Sequence, residues 1–309
     1  MTVGEVGPRL DYVLCTSAAG AHRMAYWEWG DPHNPKVLLC VHGLSRTGRD
    51  FDRVARTFAH EYRVVCPDIV GRGRSDWLLA PTLYAVPQYV ADMLTLIARL
   101  QPKQLDWIGT SMGGLVALGL VGLLELSAAV STTNPNGLDA SLGLPLGKIV
   151  LNDIGPTIET AGLARIASQV GQAVSFTDFD SAEAYIRQSC AEFGPHTDED
   201  WRELTRNVLV RNKQGRWVRH YDMKIAEGFT AQINGALAGA EALLWQSFQA
   251  IKSPVLIVRG EQSDLLSRAT AERMLQLNDQ AQLYEVAGVG HAPTLRDDRQ
   301  LDVLRNFLM

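Results

Sequence analysis

Short apolar runs bounded by turn residues alternate along this chain with segments of helical period, and that rhythm restricts its fold more than any other feature. Ala25–Trp29 and Val37–Val41 read as strands with the Asp31-Pro32 turn between them. Arg49–His60 reads as a helix and Arg63–Cys66 as a strand. In 86–100, Val90, Met93, Leu94, Ile97 and Leu100 share one helical face. A strand at Gln104–Ile108, a helix at Met112–Leu126 and a strand at Lys148–Asn152 follow. After the helical stretch 155–245, PVLIV (254–258) restores the strand. A helix at 269–277, a strand at 282–286 and a short helix at 301–308 complete the chain. Such alternation predicts an α/β fold with a mainly parallel sheet covered on both faces. The charged helical stretch reads as an insertion, giving a core of 1–154 and 246–309 interrupted by 155–245. Residues 127–147, rich in Gly, Ser, Asn and Pro, read as a surface loop.

Charge and cysteine usage narrow the class. The chain has 309 residues and a formal net charge of −5, which argues against nucleic acid as a partner. Cys15, Cys40, Cys66 and Cys190 match no zinc or CxxC spacing. They read as reduced thiols of a cytoplasmic protein. The first ten residues lack the apolar core of a signal peptide, and no run of 18 apolar residues predicts a membrane span.

The chemistry concentrates at Gly109-Thr110-Ser111-Met112-Gly113, with Gly114 following. A strand precedes this stretch and a helix follows, the context a G-x-S-x-G turn requires. Glycines avoid clashes in the tight turn, and the turn aims the serine hydroxyl over the sheet end. The helix start supplies free N–H groups and partial positive charge for a developing oxyanion.

A serine hydroxyl needs a base to take its proton. Of the seven histidines, His291 in GVGHAP follows the last predicted strand and ends on the same side of a parallel sheet as Ser111. His42 suits a loop-organising role, and the other five lie in polar or charged stretches. The base needs a carboxylate to fix its tautomer. Asp264 in RGEQSDLLS is the first candidate and Asp153 in VLNDIGP the alternative, since both follow strand ends. The backbone N–H groups of Leu44, in the loop after VLLCV, and of Met112 are the candidate oxyanion donors.

These segments resemble the α/β-hydrolase superfamily in its cap-bearing branch. The resemblance rests on VHGLSRTGRDF (41–51), PDIVGRGRSD (67–76), WIGTSMGGL (107–115), RGEQSDLL (259–266) and GVGHAP (288–293), in that order. It runs from about residue 25 to the C-terminus and is weakest in 127–147 and in the insertion. It implies a Ser-Asp-His triad with no metal or organic cofactor, and makes 155–245 a helical cap over Ser111. The expected partner is a small acyl substrate, with no nucleic acid or membrane, and a homo-oligomer is left open.

Other features carry less. GRGRSD has neither the third glycine of a dinucleotide loop nor a Gly-Lys-Ser/Thr, and Arg72 and Arg74 read as a solvated pair bracing a turn. Arg46, two residues past Leu44, is placed to meet a substrate carboxylate. Most aromatics of 155–245, such as Phe176, Trp201 and Trp217, read as the cap's own packing. The leading expectation is a serine hydrolase, a carboxylesterase acting on a small ester, thioester or lactone through an acyl-enzyme on Ser111. C–C bond hydrolysis, acyl transfer and perhydrolysis would use the same triad. A non-catalytic ligand receptor on this fold is the alternative of another class. Haloalkane and epoxide chemistry is disfavoured, because relatives that do it carry an aspartate where Ser111 stands.

Overall fold

The computed structural model describes residues 7–132, 143–235 and 237–309. Among them the main sheet has eight strands: β1 (Arg9–Ser17), β2 (Gly20–Trp29), β3 (Lys36–Val41), β4 (Arg63–Pro67), β5 (Gln104–Thr110), β6 (Leu146–Asn152), β10 (Val255–Gly260) and β11 (Ala281–Val286). Their order is β1-β2-β4-β3-β5-β6-β10-β11. The β1–β2 hairpin and the β2–β4 pair are antiparallel, and every other neighbour is parallel. Strand β1 is not legible in the sequence because its side chains are mostly exposed, so it lacks the apolar run that marks the central strands.

The central strands read as unbroken apolar runs because both faces are covered. Val37, Leu39, Val41, Leu105, Trp107, Ile149 and Leu151 face one core, with α2 (Val86–Leu100) and α3 (Met112–Thr132). Leu38, Cys40, Val64, Cys66, Ile108 and Val150 face the other, with α1 (Asp52–Phe58) and α10 (Asp298–Leu308). The period of two thus puts alternate side chains into different cores. Helix α3 runs on into the stretch expected as a loop, reaching Thr132; the remainder of that loop between 133 and 142 lies outside the described residues.

Between β6 and β10 come α4 (Thr160–Gln169), β7 (Ser175–Phe176), α5 (Phe179–Ser189), α6 (Asp198–Val208), β8 (Leu209–Arg211), β9 (Trp217–Arg219), α7 (Ile225–Gly235) and α8 (Leu237–Ala250). The three short strands form a separate antiparallel sheet in the order β7-β9-β8, where the sequence pattern shows no buried strand. A small third core of Ala182, Ile186, Trp201, Leu204, Val208 and Leu209 holds this part together, with Phe176, Tyr185 and Trp217 against it. Helix α8 differs. Gly122 of α3 leaves room for Ser247, and Trp245 and Phe248 belong to the core under the main sheet. The boundary expected at 245 therefore falls inside a helix packed on the core. The last elements are α9 (Arg268–Leu277), between β10 and β11, and α10.

Candidate active site

Ser111 sits in the one-residue gap between β5 and α3 with φ +52°, a left-handed conformation that costs a non-glycine residue energy. The glycines around it are required by close approach. A methyl group on Gly113 would lie 2.0 Å from the Val41 carbonyl oxygen, and one on Gly109 would lie 2.5 Å from Gly113 backbone atoms. Gly113→Ala would force β3 and α3 apart, at about 1–3 kcal/mol or more. The Ser111 N–H donates to the Asn152 carbonyl (2.9 Å), tying the turn to the end of β6.

His291 is brought to the serine by two loops in close contact. A methyl group on Gly260 would lie 2.3 Å from the Gly290 carbonyl oxygen, so only glycine lets the loop after β11 rest on the end of β10. Asn152 fixes the same loop from the other side, its side-chain amide donating to the Pro293 carbonyl (2.8 Å) and to Thr110 Oγ1 (3.0 Å). His291 Nε2 then lies 2.9 Å from Ser111 Oγ.

The carboxylate on His291 Nδ1 is Asp153, at 2.8 Å through Oδ2. The sequence favours Asp264 for this contact, and the structure corrects it. Asp153 is the first residue past β6, which lies next to the Ser111 strand, and its φ of +56° turns the chain at that point. Its side chain is fully buried, yet accepts from the Gly260 N–H (2.8 Å) and from Ser263 Oγ (2.7 Å) as well as from His291. Asp264 lies four residues beyond the end of β10, far enough for the loop to carry it to α4. There both its oxygens accept from Arg165 at 2.7 Å. That bidentate bond, aided by the Arg165 charge, outweighs partial burial and holds the Asp264 carboxyl below its ordinary value.

The Leu44 loop lies against the serine: a methyl group on Gly43 would be 3.7 Å from Ser111 Cβ. Met112 opens α3, so its N–H has no partner within the helix. His42 organises this loop, as the sequence suggests. Its Nε2 accepts from the Ile69 N–H (2.9 Å), which leaves Nδ1 to donate to the Gly43 carbonyl (2.7 Å). Burial pushes the imidazole pKa down to about 3, against the pull of the Gly43 carbonyl, so the ring is neutral.

Arg72 departs from the sequence reading. Arg74 is exposed, but Arg72 is completely buried. Its guanidinium donates to the Leu44 carbonyl (2.8 Å), the Val70 carbonyl (2.8 Å) and Tyr89 Oη (3.0 Å), and reaches Met112 Sδ (3.6 Å). One side chain thus braces both residues whose amides flank Ser111. The sequence offered its place in the glycine-rich turn after β4 but not its direction.

A cavity of about 160 Å³ opens over Ser111 and His291. The core side supplies Gly43, Leu44, Arg46, Thr110 and Pro293, and the insertion supplies Arg165, Tyr185, Ile186, Cys190, Phe193 and Arg219. Arg46 does line it, but its guanidinium is engaged by Asp50 (2.9 Å). Elsewhere, Cys15, His22 and Asp92 bring possible metal-ligand atoms within 4.8 Å of one another. Burial, reinforced by the Asp92 charge, pushes the Cys15 thiol pKa up to about 12, so it stays protonated beside the His22–Asp92 hydrogen bond of 3.0 Å. No described helix is long and apolar enough to cross a membrane.

The model of the alpha/beta hydrolase family matches residues 38–303, and the chain belongs to that family. It is 48% identical over 306 residues to a 3-hydroxybutyrate-oligomer hydrolase of Cupriavidus necator, with 98% of each chain covered. An alpha/beta hydrolase structure from Novosphingobium aromaticivorans superposes with a TM-score of 0.80 at 32% identity, covering 99% of both chains. A structure from Rickettsia typhi gives 0.82 at 27% identity, covering 97% of this chain and 98% of the other. The protein is thus an α/β-hydrolase in fold and in family.

Proposed function

We propose that this protein is a serine esterase that cleaves short hydroxyacyl oligoesters, with 3-hydroxybutyrate oligomers as the leading substrate. The observation that carries the reading is the continuous relay from Ser111 Oγ through His291 to Asp153, with contacts of 2.9 and 2.8 Å, opening into a small cavity. Similarity to the Cupriavidus necator enzyme over nearly the whole chain supports the substrate class.

In this mechanism Ser111 Oγ attacks the ester carbonyl carbon while His291 Nε2 takes its proton. Asp153 holds Nδ1–H and stabilises the imidazolium. The amides of Leu44 and Met112 hold the oxyanion, each worth on the order of 3 kcal/mol of barrier. His291 then returns the proton to the leaving alkoxide, and the alcohol departs. The acyl group stays on Ser111 until water, deprotonated by His291, attacks it and regenerates the hydroxyl. The insertion, residues 155–245 together with the rest of α8, acts as a cap that walls the cavity. The four free thiols suit a reducing compartment such as the cytoplasm.

The test is release of free 3-hydroxybutyrate from its linear dimer and trimer. Wild type is expected to turn over both, and Ser111→Ala to lose about 10⁴-fold or more. Rapid quenching should trap a 3-hydroxybutyryl adduct on the peptide containing Ser111. Turnover that survives in Ser111→Ala would overturn the mechanism, and wild type inert on both oligomers would overturn the substrate.

A further inference from the structure

Three guanidinium groups line the cavity, and they differ in what neutralises them. Arg46 is bound by Asp50. Arg165 carries Asp264 at 2.7 Å and Glu192 at 3.3 Å. Arg219, at the end of β9, has no carboxylate oxygen within 4.0 Å among the described residues. It donates one N–H to Tyr185 Oη at 3.0 Å, and its ring neighbours are Tyr185 and Tyr221, with centroids 5.4 and 6.0 Å away. Its Nε is buried and has no hydrogen-bond partner among the described residues. Arg219 as a whole is partly buried, and a buried guanidinium N–H left without an acceptor is costly to hold. Arg72, the other cation without a carboxylate in this region, spends its donors on two carbonyls, a hydroxyl and a thioether. Arg219 keeps donor capacity in hand, facing the space where substrate binds.

We propose that Arg219, oriented by Tyr185, is the subsite for a free carboxylate at the end of the substrate. The inference rests on the esterase reading and deepens it. The open donors of a planar guanidinium match a carboxylate. The cavity, about 160 Å³, is close in size to an engineered cavity of roughly 150 Å³ that holds a benzene molecule. It therefore has room for about one hydroxybutyrate unit of similar heavy-atom count. A site with room for one unit and an anchor for its carboxylate recognises the acid terminus of an oligomer. The enzyme then prefers a free-acid oligoester to the same molecule with its carboxyl capped.

The experiment measures binding and turnover separately. Titration calorimetry on Ser111→Ala, which cannot consume the ligand, compares the linear 3-hydroxybutyrate dimer with its methyl ester. The free acid is expected to bind at least about tenfold more tightly. In Ser111→Ala with Arg219→Gln that ratio should fall to near one, and with Arg219→Lys it should lie between. Equal affinity for acid and ester in Ser111→Ala overturns the subsite. So does a ratio that Arg219→Gln leaves intact, or a loss that falls equally on both ligands. Arg219→Lys, which keeps the charge, answers the question should Arg219→Gln not fold. Turnover of the dimer by wild type tests the esterase reading on its own. Selective binding without turnover sinks only the esterase reading, and turnover without selective binding sinks only the subsite.

Discussion

On the core side of the cavity the polar groups aimed at the serine and its histidine are matched, although Asn152 Oδ1 is buried without a partner among the described residues. Asp153 accepts three hydrogen bonds, His42 uses both ring nitrogens, and Arg72 spends its donors on the loop beside Ser111. On the inserted side Arg219 keeps a buried nitrogen without a partner, and Cys190 presents a half-buried thiol. The contrast fits the proposed division of labour between the two sides. Groups that handle charge in a transition state work best when they are already fixed and need no reorganisation. Groups that recognise a ligand need donors left open until it arrives.

The largest effect should separate the two aspartates. Asp153→Asn is expected to lower kcat/KM by about 10⁴-fold, because the amide cannot hold His291 in the required tautomer. Asp264→Asn should cost less than about tenfold, since its partner is Arg165 on α4. Steady-state kinetics of the pair decide this, and equal losses would break the distinction between the carboxylate held on His291 and the one bound to Arg165 of the insertion.

A smaller loss is expected at Arg72. Arg72→Met removes the donor to the Leu44 carbonyl and should lower kcat by about 10²-fold while KM moves only a few-fold, since an aimed oxyanion donor is worth about that much. A variant that melts earlier but keeps wild-type kcat would show that Arg72 serves folding alone.

The smallest effect is one of stability against pH. The folded pKa of His42, about 3, lies below its ordinary 6.5. The unfolded chain therefore binds a proton that the folded chain refuses, and stability drops as pH falls below about 6.5. Between pH 7 and pH 5 this amounts to about 2 kcal/mol. Asp68 acts in the opposite sense. Burial, opposed by the N–H groups of Arg74, Gly48 and Trp27, raises its pKa to about 6, so its protonation favours the folded chain as pH falls. Comparing wild type with His42→Asn cancels that common contribution. Denaturant melts of the two proteins should converge as pH falls, and parallel curves would refute a neutral, loop-bracing His42.

Much of the site was legible because it depends on local rules. The 109–114 glycines, the strand before them and the helix after them require a tight turn at Ser111. His291 follows the last strand of the sheet, where catalytic groups collect. The choice between Asp153 and Asp264 was not legible. Both follow strand ends, and only the lengths of the two loops and the position of Arg165 on α4 separate them. Arg72 was misread for a related reason: sequence gives a charge but not its partner, and partnership decided that Arg46, which lines the cavity, pairs with Asp50 and that Arg72 is buried. Arg219 lay in a stretch, RNKQGRWVRH, that reads as solvated.

The sequence by itself thus determined the alternation of strands and helices, the turn that carries Ser111, and the histidine that meets it. The first two follow from steric and hydrophobic period rules that act within a few residues, and the histidine from its place after the last strand. Tertiary structure decided which carboxylate meets that histidine and which arginine is left with open donors. Those outcomes depend on distances between segments up to about a hundred residues or more apart, set by how the loops and the insertion pack on the sheet.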